Sequence, residues 1–254
     1  MTILDQLLAT LPDGPVQDVW VGAFWTAVVT EAGGRRRCGL ASTPRSEEHH
    51  HGGGPAVPDA GRLAERSARD LAGLARSESP MEAAIGVAAI NALLPPSPEL
   101  WVDVNAEEII ARHGTGKNVA LVGHFPFIPR LREAVGTLGV LELQPGPGDL
   151  PSEAAPDVIP QADVVAITGT TLINHTLEGL LALCRPEALV LVLGPSTPLS
   201  PILLDYGVDI LSGAVVEDAE AVLRAVSQGA NFRQVHRQGV RLVTIQKFQV
   251  YEEE

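Results

Sequence analysis

Between residues 118 and 246, short continuously apolar runs alternate with helix-like segments. No other feature restricts the fold as much. "NVALVG" (118–123), "VLELQP" (140–145), "ADVVAITG" (162–169), "ALVLVLGP" (188–195), "VDILSG" (208–213) and "VRLVTIQ" (240–246) read as strands. A strand that is apolar on both sides must be covered on both faces, and helices between successive strands supply the cover. "IPRLREAVGTL" (128–138), "LINHTLEGLLALC" (172–184) and "EDAEAVLRAVSQG" (217–229) are the expected helices, with "PILLDYG" (201–207) a short helix or turn. The expectation is an α/β fold with a doubly wound, Rossmann-like parallel sheet.

The rhythm before residue 94 is different. Ile3, Leu4, Leu7, Leu8 and Leu11 share one helical face, and residues 16–43 read as two or three strands turned by Gly33-Gly34. Residues 60–75 look helical. In "SPMEAAIGVAAINALL" (79–94), Ser79 suits an N-cap and Pro80 the first helical position. The small residues of that helix point to close packing, within the chain or against a second copy; a homo-oligomer stays open. Pro95, Pro96 and Pro98 cannot continue a helix. A domain boundary is expected there, with an α+β unit at 1–97 and the α/β unit at 98–254.

Charge and cysteines narrow the function. Lys and Arg number 18 against 31 Asp and Glu, a net charge of -13. Such a chain repels phosphate backbones, so nucleic acid is not an expected partner. No apolar run reaches the ~20 residues that span a bilayer, and the N-terminus lacks the basic start of a signal peptide. Cys38 and Cys184 form no CxxC and no disulfide framework. A cytoplasmic protein is expected.

Ligands of an open parallel sheet bind beyond the carboxyl ends of its strands, where strand order reverses. The residues there are Gly123 and His124, then Glu142, then Thr168, Gly169, Thr170, Thr171 and Asn174, then Gly194, Pro195, Ser196 and Thr197. Two hydroxyl-rich loops at neighbouring strand ends form cradles for an anionic or carbonyl-bearing group. Each Thr can also be a plain helix cap. His124 and Glu142 are the candidate catalytic residues, as proton carriers near neutral pH or as metal contacts. His175 faces either solvent or ligand.

Familiar sites are missing. "VGHFPF" does not carry the GxGxxG fingerprint; "GTGKN" at 114–118 precedes a strand and lacks Walker spacing; GxSxG and HExxH do not occur. In "SEEHHHGGGP", His49, His50 and His51 are weak metal candidates, because consecutive side chains diverge.

"VALVGHFPFI", "ADVVAITGTTLINHTLEGLL", "LVLGPSTPLSP" and "GVDILSGAVVED", with "AAIGVAAINALL" before them, resemble the putative heavy-metal chelation domain family over nearly the whole chain. The resemblance implies an enolase N-terminal-like domain followed by a Rossmann-like domain, with the site in the cleft between them. It also implies metal handling, and a divalent metal or metal chelate as the associated group. The hydroxyl-rich, thiolate-poor cleft suits a small anionic molecule or chelate better than a naked soft cation. A metabolic lyase or transferase, and a metal chaperone working through the His-rich loop, are the alternatives. The identity of the ligand stays open.

Overall fold

The computed structural model describes residues 1–44 and 55–247. The chain begins with α1 (Ile3–Thr10), capped by Thr2, followed by strands β1 (Val16–Val21), β2 (Trp25–Ala32) and β3 (Arg35–Ser42). Helices α2 (Ala68–Gly73) and α3 (Pro80–Leu93) come next. Beyond the proline-rich link lie β4 (Trp101–Val102), α4 (Ala106–Gly114), β5 (Asn118–Val122), α5 (Ile128–Ala134), β6 (Thr137–Glu142), β7 (Leu150–Pro151) and α6 (Ala155–Val158). The remainder is β8 (Val164–Thr168), α7 (Leu177–Leu181), β9 (Leu189–Leu193), β10 (Ile210–Val216), α8 (Ala219–Ser227), α9 (Phe232–His236) and β11 (Val240–Gln246).

Among the described residues the strands form two sheets. The smaller is antiparallel, in the order β1-β2-β3; the larger runs β4-β11-β10-β9-β8-β5-β6-β7. From β7 to β10 all neighbours are parallel. The chain enters this parallel part at β5, moves outward to β6 and β7, then returns past β5 to β8. Strand order therefore reverses between β5 and β8, as the doubly wound α/β expectation requires. One edge departs from it. β11 pairs antiparallel with both β10 and β4, so the larger sheet is mixed.

Burial follows the two-residue period of the strands. Val119 and Leu121 face a core with Ile109, Ile110 and Leu131 of α4 and α5, whereas Ala120 joins the opposite core. The smaller sheet is also covered twice. Val28 and Ala41 pack in the core that holds α3, while Ala27, Val29 and Leu40 meet Val222, Leu223 and Val226 of α8.

Helix α3 explains itself locally. Ser79 accepts from the Glu82 N–H, Pro80 stands in the first turn, and every residue from Ala83 to Ile90 is buried. Its small residues let backbones approach on two sides. A Cβ on Gly86 would strike the backbone of Ala75, and one on Gly39 of β3 would strike that of Ala88 and Ala92.

Three expected helices are shorter in the structure. The segment 128–138 ends at Ala134, and β6 already begins at Thr137. The segment 60–75 is broken into 3-10 turns around α2. The segment 172–184 is helical only in α7, for reasons given below. No helix among the described residues is long and apolar enough to cross a membrane.

Candidate functional site

A cavity of about 630 Å³ opens at the carboxyl ends of β5, β6, β8 and β9. Trp25, the first residue of β2, and Ser42, the last of β3, are cross-strand partners and close it on the side of the smaller sheet. Most of its wall is apolar: Val122, Phe125, Leu141, Leu180 and Phe232 contribute. Of the sequence-predicted residues, Gly123, His124, Glu142, Thr168, Thr170, Thr171, Asn174, Gly194, Pro195 and Ser196 line it. Gly169 and Thr197 do not. They pack on each other behind the wall, where a Cβ on Gly169 would come within 2.6 Å of the Thr197 N and Oγ1. Thr197 borders a smaller cavity beside Asn91 and Trp101.

Gly123 and Gly194 end β5 and β9 with φ of 104° and 105°, a backbone region that side chains disfavour. A Cβ at Gly123 would also press on Thr168 at 2.9 Å. Both glycines thus let the strand ends turn sharply beneath Phe125, whose ring lies 3.3 Å from the first Cβ position and 3.9 Å from the second.

The 168–176 loop is not the first turn of a long helix. Gly169–Leu172 forms a 3-10 turn, capped by the Thr168 side chain. The Thr171 hydroxyl donates to the Thr168 carbonyl at 2.7 Å, and the Thr168 and Thr170 hydroxyls lie 3.1 Å apart. The Asn174 Oδ1 accepts from the Thr176 hydroxyl at 2.7 Å and from its N–H at 3.3 Å. His175 takes the left-handed conformation at φ 59° and turns its Nε2 to the Ala75 carbonyl, 2.8 Å away. These local bonds compete with the helix, so α7 starts only at Leu177. The loop offers hydroxyls and the Asn174 amide to the cavity, without the aligned dipoles of a helix N-terminus. His175 lies outside the large cavity.

The second hydroxyl loop is held across the two sheets. The Ser196 Oγ accepts from the backbone N–H of Ser42 at 2.9 Å. The indole Nε1 of Trp25 is buried without a partner.

Charge in the cavity is acidic. Glu142 and Glu153 line it with His124, and no Lys or Arg among the described residues does. The Glu142 carboxylate accepts from the Leu143 N–H at 3.1 Å. The His124 Nδ1 lies 3.2 Å from Oδ2 of Asp149, a residue absent from the sequence-based site. Its signal was present in "PGPGDLP", a Gly-Pro turn closing on an acid.

A metal fits these donors poorly if it arrives bare. Among the described residues, no group of three or more His, Cys, Asp or Glu is placed to hold an ion. Burial pushes the Cys38 thiol up to about 12 and the Cys184 thiol up to about 11, so neither offers thiolate near neutral pH. His49, His50 and His51 lie outside the described residues.

The fold and cavity define a mixed α/β protein with a ligand-sized pocket where parallel strand order reverses. A family model described as "Putative heavy-metal chelation" (DUF364) matches residues 105–244, and a second of the same description (DUF4213) matches residues 4–94. The chain belongs to this family, as its motifs implied. A crystal structure of a DUF364 protein of unknown function from Desulfitobacterium hafniense DCB-2 is 30% identical, with a TM-score of 0.81, covering 96% of this chain and 98% of that one. Another, from Pyrococcus horikoshii, shares the fold at 21% identity and TM-score 0.80, with the same coverage of both chains. No curated protein matches. The family description points to a role in metal or ligand binding, and no specific function is attached to it.

Proposed function

We propose that this protein binds a small organic metal chelate in the 630 Å³ cavity, between a unit of residues 1–97 and one of 98–254. One observation carries the reading: a single cavity gathers both hydroxyl loops, His124 and Glu142. The apolar wall suits an organic scaffold. Thr170 and Asn174 supply hydrogen bonds to its oxygens. The sequence alone left a small anionic molecule and a metal chelate both open. Glu142 and Glu153, without a lining Lys or Arg among the described residues, disfavour a free multivalent anion and favour a ligand whose charge is offset by a bound cation. The chelator, not the protein, provides most of the metal's donors.

Native mass spectrometry of the untagged protein, purified without chelators, tests this. The expected spectrum carries an added mass that Thr170→Val with Asn174→Leu removes. A retained mass in that variant would overturn the cavity assignment.

The His124–Asp149 pair favours a second reading, a lyase or transferase in which His124 moves a proton. Turnover abolished by His124→Ala, with circular dichroism unchanged, would select it over a binder.

A further inference from the structure

Asp149 belongs to none of the loops that the strand-end pattern singles out, yet its carboxylate meets His124. The Asp149 side chain is 3% exposed and the His124 side chain 60%. Two other groups hold the acid. The Gly146 N–H donates to the same Oδ2 at 3.1 Å. The Arg132 guanidinium stands 3.9 Å from Oδ1 and is itself fixed on the Gly148 carbonyl at 2.9 Å. The turn is closed by the Asp149 N–H on the Gly146 carbonyl at 3.0 Å. A short, braced turn thus offers one buried acceptor to one exposed ring.

A carboxylate only accepts hydrogen bonds, so the bond at 3.2 Å requires the proton on His124 Nδ1. In the neutral ring Nε2 is then bare. His124 lines the large cavity and Asp149 does not. The Asp149 carboxylate occupies Nδ1, and Nε2, the other ring nitrogen, takes no part in that bond.

We propose that Asp149 is a positioning residue: braced by Arg132 and the Gly146 N–H, it locks His124 in the Nδ1–H tautomer and presents the Nε2 lone pair to the bound ligand. This rests on the reading of the cavity as the ligand site. It adds a requirement on the ligand, which must bring to His124 either a proton donor or a metal with an open coordination position. A carboxylate behind an imidazole both orients it and raises its basicity. A rim ion pair without this role would leave the ring free to exchange tautomers.

The test is long-range 1H–15N NMR on the full chain with labelled histidine, in slightly alkaline buffer. The His124 signal is identified by its loss in His124→Gln. The expected wild-type spectrum shows a protonated Nδ1 and a bare Nε2. In Asp149→Asn the amide donates to Nδ1, and the population moves toward Nε2–H. Zinc(II)–nitrilotriacetate, read at the His124 resonance, should bind ~10–100-fold more weakly to that variant. A wild-type ring that is mainly Nε2–H overturns the proposal, and this readout does not depend on whether Asp149→Asn folds. An unchanged tautomer ratio in a folded Asp149→Asn protein overturns it as well. If the expected tautomers are found but the zinc chelate leaves His124 unmoved, the positioning role stands and the chelate reading fails.

Discussion

The backbone N–H of Ser42, the last residue of β3, donates to the Ser196 hydroxyl at 2.9 Å, across 154 residues of chain. This bond joins the end of the smaller sheet to the loop that follows β9, and both residues line the large cavity. Ser196 is 1% exposed. Replacing it with Ala strands the Ser42 donor in a partly buried place. Such a loss costs about 1–3 kcal/mol. Urea denaturation of Ser196→Ala should show a lower midpoint with an unchanged slope; an unchanged midpoint would mean that water replaces the bond without cost.

Gly86 gives a prediction opposite to helix propensity. Ala in a helix interior is favoured over Gly by about 1 kcal/mol. At position 86, however, the new Cβ would collide with the Ala75 backbone. Overpacking of this kind costs about 1–3 kcal/mol, occasionally more. Gly86→Ala should therefore lower the melting temperature, and a rise would show that α3 and the 74–76 turn can separate freely.

Acid stability should depend on Asp5. Its hydrogen bond with the Arg76 side chain, followed by that from the Thr2 backbone, lowers its pKa from 3.8 to about 2. A depressed carboxyl stabilises the fold above its unfolded value and loses that contribution as pH falls through the folded one. The contribution of Asp5 is thus present above about pH 4 and disappears toward about pH 2. Asp5→Asn should flatten the stability profile in that window and leave its shape near neutrality unchanged. A profile identical to wild type would remove Asp5 from the acid response.

The thiols should be quiet in the native state. Cys38, pushed up to about 12, and Cys184, pushed up to about 11, are both raised by burial. At pH 8 neither supplies the thiolate that reacts. A disulfide reagent should label both cysteines promptly only after unfolding. Fast labelling of Cys184 in the folded protein would reopen it as a soft-metal donor.

Much of the architecture was legible before any coordinates. The runs around 118–122, 164–168 and 189–193 are apolar on both faces, and only a doubly covered sheet accommodates them. The cap of α3 was equally local, because Ser79 and Pro80 act within one turn. The edge strand β11 was harder. "VRLVTIQ" has the same pattern whether it runs parallel or antiparallel. Its direction follows from two helices, α8 and α9, in the connection from β10, and the five residues of α9 are too few for a periodic signal. The capping box of Asn231 and Gln234 was the available cue. The stretch 172–184 misled for the opposite reason. Its leucines have helical spacing, but Asn174 and Thr176 bond to each other and His175 adopts a positive φ.

The sequence by itself determined most of the longer strands, the α/β class, and which residue types stand at the strand ends, because period and turn chemistry act over a few neighbouring residues; the two-residue strands β4 and β7 were too short to leave such a signal. Tertiary structure alone decided which of those residues share a cavity. It set Ser196 against Ser42, bound His124 to Asp149, and turned Thr197 behind the wall onto Gly169. These pairings join positions far apart in the chain, and they exist only where packed sheets and helices bring the backbones together.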